Sequence, residues 1–135
     1  MIKDDLEWVH KKNEKNNDKI KLTITRRGVI VYDNYQKNNF NLLLMTVHSG
    51  TWIRKDIQQK QIISKEKREV QEDTDIHKIY GHLVLEKGGI WIDNKQSRFA
   101  CDFNRSPDRA IYFTKSEKWF KELWKEELSK SQRNW

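Results

Sequence analysis

Residues 41–47, Asn-Leu-Leu-Leu-Met-Thr-Val, form the most apolar run of a very polar chain. They stop abruptly at His48-Ser49-Gly50. A short apolar run closed by a turn signal reads as a buried strand. Covered on both faces, such a strand belongs inside a parallel sheet with helices on either side. Ligands of open α/β sheets bind just beyond the carboxyl ends of the strands. His48 falls at that place, and Gly50 allows the chain to turn sharply behind it. A histidine that merely finishes a strand is the plainer reading unless the sequence brings other functional groups to the same place.

The remaining elements follow from pattern. A short helix is expected around Leu6, Trp8 and Val9, followed by a solvated Lys/Asn loop to residue 18. Ile20, Leu22 and Ile24 alternate, as in a half-buried strand, and Arg26-Arg27-Gly28 turns the chain into Val29–Tyr32, a hairpin. Asp33–Asn39 is a polar turn before the apolar strand over 40–47. Residues 55–72 carry few apolar anchors and predict a short exposed helix or a loop. Asp73-Thr74-Asp75 opens a helix, with Asp73 or Thr74 as its cap, on which Ile76, Ile79, Tyr80, Leu83 and Val84 share one apolar face. Gly88-Gly89 ends it. Ile90–Ile92 is a strand, Asp93-Asn94-Lys95 a turn, and Arg98–Asn104 another strand. Phe120, Leu123, Trp124 and Leu128 place an amphipathic helix over 116–130. The whole is an α/β chain, expected as one domain over 1–135 with a partial mixed sheet flanked by helices.

Net charge is +7 over 135 residues, but the lysines are interleaved with acids and no nucleic-acid-binding module is recognisable. Small anionic substrates suit the charge as well. One cysteine, Cys101, excludes an internal disulfide and reads as a small core residue. No apolar run is long enough to span a membrane and no secretory signal is visible at Met1–Asp5, so a cytoplasmic protein is expected.

The candidate chemistry lies in two stretches. Read as a strand, Ser97–Arg105 alternates faces: Phe99, Cys101 and Phe103 inward, and Arg98, Ala100, Asp102 and Asn104 on the other side, with Arg105 at the exit. Arginine suits two-pronged capture of a carboxylate. The alternative is an internal Arg98–Asp102 salt bridge. Asp73 and Asp75 are either helix-capping acids or, with His48, carboxylate partners in a metal site of the zinc type. His10 lies in a polar tail, and His77 and His82 read as surface residues flanking the helix.

His48-Ser49-Gly50-Thr51 after an apolar strand, Glu72-Asp73-Thr74-Asp75 at a helix start, Ser97-Arg98, and Asp102-Phe103-Asn104-Arg105, in this order, resemble the N-formylglutamate amidohydrolase family over roughly 40–112. The resemblance implies a distant kinship with zinc carboxypeptidases and aspartoacylase. It implies the N-terminal half of their phosphorylase/hydrolase-like fold, truncated here, with the general base in the missing half and a second chain as one way to complete the site. It implies Zn2+-assisted hydrolysis of an N-acyl amino acid such as N-formylglutamate, in histidine catabolism. His48 with Asp73 or Asp75 would hold the metal, and Arg98, Asn104 and Arg105 the substrate carboxylate. Ser49, Gly50 and Asp102 would orient the site. Where the zinc relatives carry a glutamate three residues after the first histidine, this chain has Thr51. A non-catalytic remnant binding carboxylates or a partner, and a basic nucleic-acid-binding protein, are the other readings. No membrane partner is expected.

Overall fold

The computed structural model describes residues 2–16, 18–37, 41–112 and 123–133. They form two compact units: residues 1–46 with 75–94, and residues 47–74 with 95–135. The polar turn at 38–39, the first residue of the expected strand at 40, the 116–122 part of the expected last helix and the His77 side chain lie outside the described residues.

The first unit is a four-stranded mixed sheet with helices on one face. Its strands are β1 (Lys21–Ile24), β2 (Val29–Asp33), β3 (Leu43–Thr46) and β4 (Ile90–Asn94), in the order β1-β2-β4-β3. β1 and β2 form the expected antiparallel hairpin. Gly28 turns it with φ of 75°, a conformation that costs glycine little. β2 pairs antiparallel with β4, and β4 pairs parallel with β3. The apolar run therefore does enter a parallel pairing. It is not buried on both faces, because β3 is an edge strand, and Leu43 and Met45 are 56% and 55% exposed.

The register sets Leu22, Tyr32, Trp91 and Leu44 side by side across one face. Side chains two apart share that face, and the row packs with Ile30 against Val9 of α1 (Ile2–Asn16) and Leu85 of α4 (His82–Glu86). The Tyr32 and Trp91 rings stack at 4.3 Å, and His82 stacks on Trp8 at 4.3 Å. His82 is thus part of an aromatic cluster rather than an ordinary surface residue. The helix expected around Leu6–Val9 is correspondingly longer, running through the lysine- and asparagine-rich stretch to Asn16.

The chain enters α4 through a π-turn, His77–Gly81. Here the expected apolar face is corrected. Ile76, Ile79, Tyr80 and Leu83 are all more than 40% exposed, while Gly81, Val84, Leu85 and Gly88 are buried. Those four also recur at i, i+3, i+4 and i+7. Gly81 decides between the faces: a Cβ there would stand 2.5 Å from the Trp91 ring, so the helix can approach the sheet closely only on its glycine side. Asp73 and Thr74 do not cap this helix; Ile76 is its cap residue and no side chain caps it. Gly88, with φ of 89°, ends it as expected.

The second unit is loop-rich. Its short helices are α2 (Lys55–Gln58), α3 (Lys65–Glu69) and α5 (Lys130–Arg133). The polar stretch 55–72 is anchored by Ile57, fully buried, and Arg68, 3% exposed. Ile53, Ile57, Phe99, Ala100, Leu123, Trp124 and Leu128 make the core. The described part of the expected last helix, 123–129, is irregular; Trp124 instead bridges antiparallel to Gln61 and donates its indole N–H to the Tyr112 carbonyl at 2.7 Å. Residues 50–52 run parallel to 96–97 through the bridges Gly50↔Ser97 and Trp52↔Gln96.

Candidate active site

Two expectations about the polar stretches are corrected first. Asp93-Asn94-Lys95 is no exposed turn. Asp93 and Asn94 belong to β4, and residues 93–97 are all buried, from 0% to 7% exposed. Polar side chains can enter a strand when they are paired, and Asp93 accepts the Thr46 hydroxyl at 2.6 Å while Thr46 accepts the Trp91 indole N–H at 3.0 Å. Ser97–Arg105 is no strand either. The Ser97 carbonyl accepts from the N–H groups of Ala100 (2.9 Å) and Cys101 (3.1 Å), and its Oγ accepts from Phe99 N–H, which closes a turn. The two-face alternation is lost: Ala100 is buried with Phe99, and Phe103 is 42% exposed.

The turn places Asp102 differently from the expected strand face. It delivers Asp102, wholly buried, into contact with His48, 8% exposed. His48 Nε2 stands 2.7 Å from Asp102 Oδ1. The same carboxylate accepts Asn104 N–H at 3.0 Å, the Tyr112 hydroxyl at 2.8 Å and Arg98 Nη2 at 3.1 Å, with Arg105 Nε at 3.8 Å. A buried charge needs such partners. Burial pushes the Asp102 carboxyl up, but the bonds from His48, Tyr112 and Asn104 outweigh it and hold it below its ordinary value. Burial, and then the bond to Asp102, push the Tyr112 hydroxyl up, so it remains a donor. The salt bridge Arg98–Asp102 is present, and it forms inside the site.

With Asp102 ionised, His48 donates through Nε2, and Nδ1 faces the other way. There it meets Asp73, whose Oδ2 is 3.7 Å from Nδ1 and whose backbone N–H bonds the His48 carbonyl at 3.1 Å. The Asp73 side chain is 54% exposed. Two ligands of one tetrahedral ion stand about 3.4 Å apart, given bonds of about 2.0–2.2 Å. The His48–Asp73 pair therefore fits two corners of such a site, and an imidazole whose other nitrogen is held by a buried carboxylate is the usual supporting arrangement. Among the described residues no group of three or more His, Cys, Asp or Glu is gathered to hold a metal.

Gly50 is fixed by contact rather than by turn angle: a Cβ would lie 2.0 Å from the Lys95 carbonyl carbon. Ser49 is buried beside it. Asn104 and Arg105 lie on the exposed side of the turn, and Asp75 belongs to the other unit. Tyr112 was not singled out from the sequence, and Glu72 was noted only as the first residue of the Glu72–Asp75 motif. Tyr112 had no signal, since it stands in an ordinary Ala-Ile-Tyr run ten residues past its partner. Glu72 had one, as an acid beside Asp73. It is 6% exposed and accepts the Ser97 hydroxyl, below Arg68. Burial, eased by Ser97, pushes its carboxyl up.

His48 thus stands between a buried aspartate, which two arginines also approach, and a second, more exposed carboxylate. The family model for N-formylglutamate amidohydrolase matches residues 40–131, and the chain belongs to that family. This membership points to an amidohydrolase type of function. No curated protein and no solved structure matches the chain. None of the helices among the described residues is long and apolar enough to cross a membrane.

Proposed function

We propose that the chain carries the metal- and carboxylate-binding part of a zinc-assisted amidohydrolase acting on an N-acyl amino acid such as N-formylglutamate. The carrying observation is the direction of His48: its Nε2 is engaged by Asp102, so its Nδ1 is left toward Asp73. In this reading His48 and Asp73 hold the metal, and Asp102 fixes the imidazole. A bound zinc would supply a water of lowered pKa and polarise the scissile carbonyl. Arg105 and Asn104, on the exposed side of the turn, take the substrate carboxylate, and Arg98, braced on Asp102, adds positive charge beneath them. Such contacts orient the amide rather than cleave it. The net charge of +7 favours an anionic substrate. A third ligand and a general base would come from outside the described residues, through a second polypeptide if need be.

Zinc titration by calorimetry tests the reading. The wild-type chain should bind one zinc, His48→Ala should abolish binding, and Asp102→Asn should weaken it about 10–100-fold. Undiminished binding in His48→Ala would rule out the ligand role. Arg105→Ala should leave zinc affinity unchanged and weaken N-formylglutamate binding at least tenfold. That corresponds to the loss of one charge-assisted hydrogen bond, about 1.5–3 kcal/mol. A chain that takes up the carboxylate without zinc would instead be a binding module.

A further inference from the structure

Ser97 is wholly buried, and three stretches of the site meet on it. Its backbone pairs with the stretch that follows His48: it bridges to Gly50, and its N–H bonds the Trp52 carbonyl at 2.9 Å. Its carbonyl and Oγ close the turn that carries Asp102. A serine hydroxyl has one proton to give, and this one goes to Glu72, the residue before Asp73. Glu72 is 6% exposed, whereas the Asp73 side chain is 54% exposed. Among the described residues no hydrogen bond holds the Asp73 carboxylate. What turns it toward His48 is backbone: the Asp73 N–H on the His48 carbonyl at 3.1 Å, and the chain running back to Glu72.

We infer that Ser97 and Glu72 are a positioning pair: their buried hydrogen bond sets where the Asp73 carboxylate stands before His48. Neither side chain touches the reacting groups. The pair acts through the chain, because a pinned Glu72 carboxylate leaves the next residue little freedom to turn. A buried acceptor that loses its donor is costly to keep dry, so without the Ser97 hydroxyl the 72–73 stretch would move toward water and take Asp73 with it. Groups that hold a metal ligand in place without touching the metal set its affinity as well. That last consequence rests on the metal reading proposed above; the positioning itself does not.

Amide hydrogen exchange, followed by NMR on the metal-free full chain, tests the positioning. The reference is the Ile57 amide, which bonds the Arg54 carbonyl in the same unit. The Asp73 amide should be protected in the wild type. Ser97→Ala and Glu72→Ala should each speed its exchange by about tenfold more than that of Ile57, since the opening is local. Glu72→Gln, which can still accept the Ser97 hydroxyl, should keep it near the wild-type rate. The double alanine variant should be no faster than either single one, because both remove the same bond. Zinc affinity should follow the same order, falling about 10–100-fold in the alanine variants. An Asp73 amide unprotected in the wild type overturns the inference. So do an unchanged rate in both alanine variants, a glutamine variant as fast as the alanine one, and exchange that rises equally at Ile57. If one alanine variant misfolds, the other still reads out the bond. A wild type that binds no zinc while Asp73 responds as expected refutes the metal reading and leaves the positioning pair standing.

Discussion

Asp102 is the residue on which the site turns. It is fully buried and engages an imidazole, a phenol, a backbone N–H and a guanidinium. Asp102→Ala would strand those donors, and breaking a buried charge pair costs about 3–5 kcal/mol. Urea denaturation should show a loss of that order. Among the described residues of this unit, the buried carboxyls Asp102 and Glu72 respond oppositely to pH. The folded value of Asp102 is lowered. Its stabilisation is complete above the ordinary aspartate value of about 3.9 and is lost as the pH falls below it through the folded value. The folded value of Glu72 is raised. Its contribution is complete below the ordinary glutamate value of about 4.3 and is lost as the pH rises through the folded one. Glu72→Gln, which can still accept from Ser97, should therefore match the wild type near pH 4 and be more stable at pH 7, by thermal melts at both values. A wild type more stable than Glu72→Gln at pH 7 would contradict this.

At the scale of the elements, the glycines carry more than the apolar pattern suggests. Gly81→Ala would push the helix off Trp91, and overpacking of this kind costs about 1–3 kcal/mol. The urea midpoint should fall with an unchanged slope. Gly50→Ala meets backbone rather than a side chain and should disrupt the His48 turn itself, seen as loss of zinc binding. The hairpin and β4 were legible because alternation and the turn chemistry at Gly28 agree. The facing of the helix at 76–86 was not: two sets of positions have helical spacing, and choosing between them requires knowing that an indole lies opposite Gly81. Residues 93–97 were misread for a related reason. Asp-Asn-Lys-Gln-Ser has the composition of a turn, and only the partners of Asp93 and Ser97, Thr46 and Glu72, make it a buried segment. The arginine stretch was assigned to the wrong element, a strand where the structure has a turn. Its meeting with His48 depends on the Asp102 carboxylate, which the sequence did single out.

Across the whole molecule, the family match over 40–131 carries the amidohydrolase reading, and the distances about Asp102 describe the cluster in which the proposal places its chemistry. All of it depends on which way one imidazole is held. Long-range 1H–15N correlation spectra of His48, in protein labelled at the histidine ring and held near pH 8, report which ring nitrogen carries the proton. The account predicts a proton on Nε2, toward Asp102, with Nδ1 bare and shifting when zinc is added. A proton on Nδ1 with Nε2 bare would contradict it.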